Sequence, residues 1–244
     1  VTLGATVRTL GKNAFTQNKI KEIEIPETVE SIGDYAFGGG LEKATVNGGV
    51  VKYGFLNCSE LKTLIVQGKA SLDSEFRAQK ATNSLETVVI ETGVIGNNAF
   101  KNCRNLTSVT LGDGVTSIGS SAFLGAKLTS ISIGSSVTSI GAYAFGNCTL
   151  LKEVFIAAAT ASANTFNGAS ALEKVTFGDA VTNIPAYVFS RCGMKANNGQ
   201  LFLKAGTWTS NRQSIQVTER QGITVGNKVF DQIVAGKAAN WSAN

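Results

Sequence analysis

The sequence contains no histidine, and its 244 residues include only two prolines and one methionine. Histidine is the usual general base near neutral pH and the commonest metal ligand. Its absence excludes Ser-His-Asp and Cys-His catalytic arrangements and every zinc site that needs histidine. No stretch approaches the roughly 18 consecutive apolar residues of a membrane-spanning helix. We therefore expect no enzymatic activity, no metal or other cofactor and no transmembrane segment in this chain.

What the sequence has in abundance is internal repetition. A phrase that ends in Ala-Phe recurs, for example at residues 10–15, 118–123 and 140–145, and several copies carry glycine after an aliphatic residue. That glycine predicts a positive φ or a close approach of two backbones. The closing phenylalanine returns about every 22 residues, at Phe15, Phe37, Phe55, Phe76, Phe100, Phe123, Phe145, Phe166 and Phe189. Stacked coils would place these rings in an internal spine.

A second phrase, L-x-x-L-x-L in apolar terms, lies between these anchors. Typical copies are Leu106, Val109 and Leu111, and Leu128, Ile131 and Ile133. Its last positions alternate apolar and polar, which indicates a short strand with one buried face. One such strand per repeat cannot fold alone, but parallel stacking buries a continuous core. The sequence therefore predicts an α/β repeat solenoid of about nine to ten coils, with short parallel strands and little regular helix.

The four cysteines raise the alternatives of disulfides and a metal site. All four lie three residues after an anchor phenylalanine, so they fill one position in different repeats: Cys58, Cys103, Cys148 and Cys192. Three intervening repeats place Gly40, Ala126 and Ala169 at this position, which indicates a small buried slot. Cysteines two coils apart would be separated by roughly 10 Å, twice the strand spacing, which is beyond disulfide reach. We predict free, buried thiols that pack as small apolar groups.

Two stretches, LTSVTLGDGVTSIGSSAF at residues 106–123 and LTSISIGSSVTSIGAYAFGNC at residues 128–148, resemble the BspA-like class of leucine-rich repeats, also called the Treponema pallidum type. The resemblance extends over roughly residues 1–192. It implies a right-handed leucine-rich-repeat superhelix with the strands on its concave face. It also implies a secreted or surface-attached protein of host-associated bacteria or parasitic protists, where some members bind matrix or plasma proteins. The family has no catalytic motif to transfer.

The end of the chain departs from the repeat. We predict a solenoid at residues 1–203 and a C-terminal cap or tail, packed on the last repeat, at residues 204–244. Within it, residues 214–218 and 222–225 could pair as strands. Residues 191–244 carry seven Lys or Arg against two acidic residues, whereas the charges of residues 1–190 cancel. This excess of basic residues could attract an acidic partner, or it could belong to a solvent-exposed cap and have no binding role. We favour the solvent-exposed cap. Because Val1 falls within a strand phrase, we expect further native sequence before it.

Outward-facing positions of the strand phrases form two rows across the coils, and most are small or polar. Phe155 is an exception, flanked by Ser132 and Thr176, with Glu153 and Lys174 in the other row. An exposed aromatic residue is typical of binding hot spots, although it can also cover a neighbouring strand. The adjacent apolar residues Ile65 and Val89 form a second candidate, for which we favour cross-strand packing.

A broad repetitive sheet offers area and no deep pocket. We therefore predict a non-enzymatic, extracellular or surface-attached binding module that acts as a monomer. Its expected partner is a protein or polysaccharide on host or neighbouring cells, bound through the concave sheet. Nucleic acid is not expected, because no basic and aromatic module is present. The alternative is a structural spacer or assembly domain of a larger surface protein.

Overall fold

The fold was taken from a computed structural model of the chain. It describes residues 1–202 apart from 75, 79, 159, 180, 182, 186, 195, 196, 198 and 199. It also describes the strands at residues 206–210, 213–217, 222–223 and 241–243.

Two series of parallel strands alternate along the chain. The strand-phrase series comprises β2 (Glu22–Ile25), β4 (Lys43–Val46), β6 (Thr63–Val66), β8 (Thr87–Ile95), β9 (Ser108–Ile118), β10 (Ser130–Ile133), β12 (Glu153–Ile156), β13 (Lys174–Phe177) and β15 (Gln200–Phe202). A second side of each coil carries β1 (Thr9–Leu10), β3 (Ser31–Ile32), β5 (Val50–Val51), β7 (Ser71–Leu72), β11 (Ser139–Ile140) and β14 (Asn183–Ile184). One short 3₁₀ helix, η1 (Lys80–Asn83), lies between β7 and β8.

The strands stack in the register that the repeated phrase predicts. Ile23 pairs with Ala44, Ala44 with Leu64, and Leu64 with Val88, and these apolar side chains are buried. The intervening residues point outward because side chains alternate along a strand. The result is a parallel β-solenoid of about eight turns with almost no helix. This confirms the predicted leucine-rich-repeat fold, and the number of turns is roughly consistent with the nine to ten coils predicted.

The anchor phenylalanines form the predicted spine. Between Phe100 and Phe189, each ring stacks on the ring of the next coil at a centroid distance of 5.3–5.5 Å, with the planes within 14° of parallel. Phe15, Phe37 and Phe55 form a similar stack at 5.4 and 4.9 Å. Phe76 and Phe100 are tilted by 50°, so the spine is least regular in the repeat whose sequence is most degraded.

The glycine of the anchor phrase permits a close approach of backbones. A Cβ atom added at Gly33 would lie 2.6 Å from the nitrogen of Lys12, and one added at Gly119 would lie 2.6 Å from the nitrogen of Asn97. Neither glycine has a positive φ, so the close approach of the two backbones is the reason why glycine is needed at these positions. The left-handed backbone conformation occurs two residues later, at Tyr35 (φ 56°) and Ser121 (φ 56°).

The sheet of the strand-phrase series is interrupted between β9 and β10. Among the strands that the structure describes, β9 pairs with β8 and, near its end, with β11, whereas β10 pairs with β12. Val109 and Leu111 on β9 are therefore partly exposed, although their equivalents on β8 and β10 are buried. We call this interruption the split step. It was not predicted, since the flanking repeats are among the most alike in sequence.

The cysteines are free, as predicted, and three of them are fully buried. Burial raises the pKa of Cys58, Cys103 and Cys148 to about 12, so the reactive thiolate is disfavoured. Cys192 departs from the prediction because it is partly exposed, and its pKa is raised to about 11. It lies in the last coil that has an anchor phenylalanine, and burial still raises its pKa.

Beyond β15, four short strands are described: β16 (Gly206–Ser210), β17 (Gln213–Val217), β18 (Gly222–Ile223) and β19 (Trp241–Ala243). The expected pairing of residues 214–218 with 222–225 is wrong. β17 pairs antiparallel with β16, while β18 pairs antiparallel with β15. β19 pairs with β14 of the solenoid and with β16. Thus β18 and β19 bond to strands of the last coils, where the parallel repeat ends, and β16 and β17 are joined to them through β19.

Candidate functional site

The outward residues of the strand-phrase series form one surface, which we call the strand face. It consists of two rows in direct cross-strand register. C-terminal to the split step, one row reads Ser130, Glu153, Lys174 and Gln200, and the other reads Ser132, Phe155, Thr176 and Phe202. The structure thus brings five of the seven candidate binding residues together on β10, β12 and β13.

Phe155 stands at the centre of this group. Its side chain remains 38% exposed, while Val154 and Ile156 on either side of it are buried in the core. Ser132 and Thr176, its direct neighbours across the sheet, are too short to cover an aromatic ring. The surrounding surface forms a shallow depression of about 330 Å³, which Ser130, Ser132, Glu153, Phe155, Lys174 and Thr176 help to line.

A charged pair borders the aromatic ring. Lys174 Nζ lies 3.7 Å from Glu153 Oε2, and both side chains are about half exposed or more, at 46% and 62%. Exposed pairs contribute little to stability, because solvent screens them. The pair therefore leaves both charges accessible to a partner. An equivalent pair, Glu22 and Lys43 at 4.0 Å, occupies the same register positions at the N-terminal end.

Phe202 adds a second aromatic residue that was not among the candidates. It pairs with Thr176 across the sheet, and the ammonium group of Lys174 lies 5.7 Å from its ring centroid. That distance allows a cation–π contact. The signal was present in Leu201-Phe202-Leu203, since strict alternation places the middle residue outward when the leucines face the core. Phe155, Lys174 and Phe202 therefore form one continuous aromatic and cationic patch, which we call the aromatic patch.

Ile65 and Val89 lie apart from this patch. They are direct cross-strand neighbours on β6 and β8, and both are partly buried. Strand β9 and the split step separate them from β10. Their direct cross-strand register is compatible with the packing predicted for them, and that interpretation stays a prediction.

In the N-terminal coils, charged side chains of opposite sign pair with one another just before the strands of the strand-phrase series. Lys21 Nζ lies 2.9 Å from Glu42 Oε1, and Lys62 Nζ lies 2.8 Å from Glu42 Oε2. The hydrogen bonds from the two lysines lower the pKa of Glu42 to about 2 and raise the pKa of both ammonium groups. All three side chains reach solvent, so these contacts fix local geometry more than they stabilise the fold.

The described part of the chain holds no cluster of three or more Cys, Asp or Glu side chains that could bind a metal ion. Within the same residues, no helix has the length and apolar character needed to cross a bilayer. Beside Phe155, the carboxylate of Glu153 is paired with the ammonium group of Lys174 in open solvent.

The repeat also identifies the family. A BspA type leucine-rich repeat region matches in six copies over residues 1–93 and 74–195. The chain belongs to this family. Proteins with BspA-type repeats are typically not enzymes. Among curated proteins, none matches the chain.

A solved structure of a bacterial cell surface protein has the same fold. A leucine rich cell surface protein from Faecalibacterium prausnitzii A2-165 is similar at 24% identity and a TM-score of 0.50, covering 74% of this BspA-type chain and 64% of that one. A leucine-rich repeat protein from Bacteroides ovatus ATCC 8483 is 23% identical with a TM-score of 0.49, covering 72% of this chain and 42% of that one. The chain thus spans less than two thirds of the length of either structure.

Proposed function

We propose that this chain is a non-enzymatic binding module of an extracellular or surface-attached bacterial protein. It docks a host or neighbouring-cell partner, a protein or a polysaccharide, on the strand face. The observation that carries the proposal is the aromatic patch, where Phe155 is exposed among small residues. Exposed aromatic residues are among the side chains that are enriched at protein interfaces and in their binding hot spots.

The shape of the strand face favours an extended contact. The depression beside Phe155 is shallow, and its residues come from three successive strands. A partner that covers it also meets the paired charges of Glu153 and Lys174, which would fix its orientation more than its affinity. We expect the centre of the interface to be Phe155 and its rim to be the charged pair.

A binding screen against matrix proteins, plasma proteins and a glycan array at physiological salt tests this proposal. A saturable partner should lose affinity by about tenfold or more when Phe155→Ala is introduced, as an interface hot spot does. Lys174→Ala should weaken it less. Lys43→Ala is the matched control, because Lys43 forms the same pair with Glu22 outside the patch.

Other outcomes would count against the strand face. A partner that binds all three variants equally well would be held elsewhere. If that binding also disappeared at high salt, the basic residues after position 190 would be the better candidates. If the screen gave no saturable partner, the spacer or assembly role would become the better account.

A further inference from the structure

All four tyrosines of the chain occupy one position of the coil, two residues before an anchor phenylalanine. They are Tyr35, Tyr53, Tyr143 and Tyr187. The other five repeats place asparagine or serine there: Asn13, Ser74, Asn98, Ser121 and Asn164. This position lies on the turn between the two series of strands, away from the strand face.

The backbone makes tyrosine an unfavourable choice at this position. Tyr35, Tyr143 and Tyr187 have φ values of 56°, 57° and 61°, in the left-handed region. Asparagine tolerates this conformation well, and it occupies the same region at Asn164 with φ 62°. A bulky side chain there is an outlier, and such strain is concentrated at functional sites. Folding alone would therefore favour asparagine over tyrosine at positions 35, 143 and 187.

Two of these tyrosines also remain open to solvent. Tyr143 is 42% exposed and Tyr187 is 44% exposed. The residue before Tyr143 and the residue after it are both alanine, Ala142 and Ala144. Tyr143 and Tyr187 belong to coils two apart, which places them roughly 10 Å from each other at the usual strand spacing.

Asn164 fills the same position in the intervening coil. Its backbone N–H donates to the carbonyl oxygen of Tyr187 at 2.9 Å, which fixes the two coils against each other. Its side-chain oxygen accepts from Asn167 Nδ2 at 3.5 Å. Within the described residues, the amide nitrogen of Asn164 has no hydrogen-bond partner, so its two donors are free for a ligand.

We propose that Tyr143, Asn164 and Tyr187, which we call the tyrosine edge, bind a β-linked pyranose polysaccharide. Pyranoses with equatorial hydroxyls present flat C–H faces that stack on aromatic rings, and hydroxyl edges that bond amides. In an extended β-1,4-linked chain, sugars that face the same way are one disaccharide apart, comparable to the separation of the two tyrosines. One sugar stacks on each ring, and the sugar between them bonds Asn164. This site is separate from the strand face and does not depend on it.

Substituting asparagine for tyrosine tests this proposal directly, because it should relieve strain while it removes a ring. We expect wild-type protein to bind cellohexaose saturably in calorimetric titration, and each of Tyr143→Asn and Tyr187→Asn to weaken binding about tenfold. The double variant should lose detectable binding. The thermal midpoint should stay level or rise in every case. Tyr143→Phe and Tyr187→Phe should keep most of the affinity, because the stacking face remains.

Tyr35→Asn is the matched control, since it makes the same change at φ 56° outside the tyrosine edge. It should leave binding unchanged. The proposal is overturned if wild-type protein binds neither cellohexaose nor xylohexaose, or if the double asparagine variant binds as well as wild type. A lower thermal midpoint in the asparagine variants would also overturn it, because the tyrosines would then serve the fold. Heparin binding that survives both substitutions would place glycan recognition elsewhere.

Discussion

Single residues in this solenoid divide sharply between those that hold the coils together and those that do not. The anchor phenylalanines are fully buried from Phe100 to Phe189, and each ring from Phe123 to Phe166 stacks on the anchor ring of the preceding coil and on that of the following coil. Phe155 has the same side chain, but it points outward from β12, on the face opposite the buried Val154 and Ile156, where it contacts solvent. Identical chemistry therefore serves packing in one place and remains available for binding in the other.

Replacing one ring of the spine should be costly. Phe123→Ala removes a fully buried side chain between two stacked neighbours, so we expect it to lower the free energy of unfolding by about 3–5 kcal/mol. Phe155→Ala should lower it by about 1 kcal/mol or less, since much of that ring is already in water. Denaturant titrations of the two variants would check both values. Equal losses would show that Phe155 packs as part of the core.

At the scale of elements, the repeated phrase predicted the strands and their register. The alternation in residues such as Glu153, Val154 and Phe155 fixes which side chains face the core, because a strand has a period of two. The candidate pairs followed from that register alone, as with Glu153 beside Lys174. Phe202 was missed because its strand follows an irregular insertion. The insertion changes the number of residues between the last anchor phenylalanine and the strand, so the repeat spacing no longer shows which residues face outward.

The split step could not be predicted in this way. Residues 106–123 and 128–148 repeat nearly the same phrase, so the sequence indicates a continuous sheet across them. Backbone pairing also depends on the path of the chain between the strands, and β9 runs through eleven residues without the break that separates β10 from β11. The bulges in the pairing of β8 with β9 change that path locally.

Hydrogen exchange offers a sensitive test of the split step. In the regular part of the sheet, the amides of Glu153 and Ala157 donate to the preceding coil at 3.4 and 2.8 Å. Ser130 and Gly134 occupy the equivalent positions on β10, facing β9. We expect the amides of Ser130 and Gly134 to exchange much faster than those of Glu153 and Ala157. Equal protection of the two pairs would mean that β9 and β10 are bonded in solution.

At the scale of the whole molecule, each coil contacts its immediate neighbours, so the end coils have one exposed side. At the C-terminal end, β19 pairs with β14 and β18 pairs with β15. We propose that the segment after residue 203 acts as a cap that completes the hydrogen bonding of these last strands.

Deleting the segment distinguishes a cap from a tail. A chain that ends at residue 203 should melt at least about 5 °C lower than the full chain and should self-associate, because strand edges become unpaired. Differential scanning calorimetry and sedimentation would measure the two effects. A truncated chain that stays monomeric with an unchanged melting temperature would indicate a tail that contributes nothing to the solenoid.

The split step also has a mechanical meaning. A pulling force along the solenoid passes from coil to coil through four parallel connections: the strand-phrase ladder, the second-side ladder, the hydrogen bonds between turns and the aromatic spine. Between β9 and β10 the first connection is reduced to the bond from the Lys127 amide to the Leu106 carbonyl oxygen at 2.9 Å. The load there rests on the pairing of β9 with β11, on turn bonds such as that from the Phe123 amide to the Ala144 carbonyl oxygen, and on the contact of Phe123 with Phe145. Under tension the molecule should therefore lengthen first at this joint, while the coils on either side keep their shape and their binding surfaces.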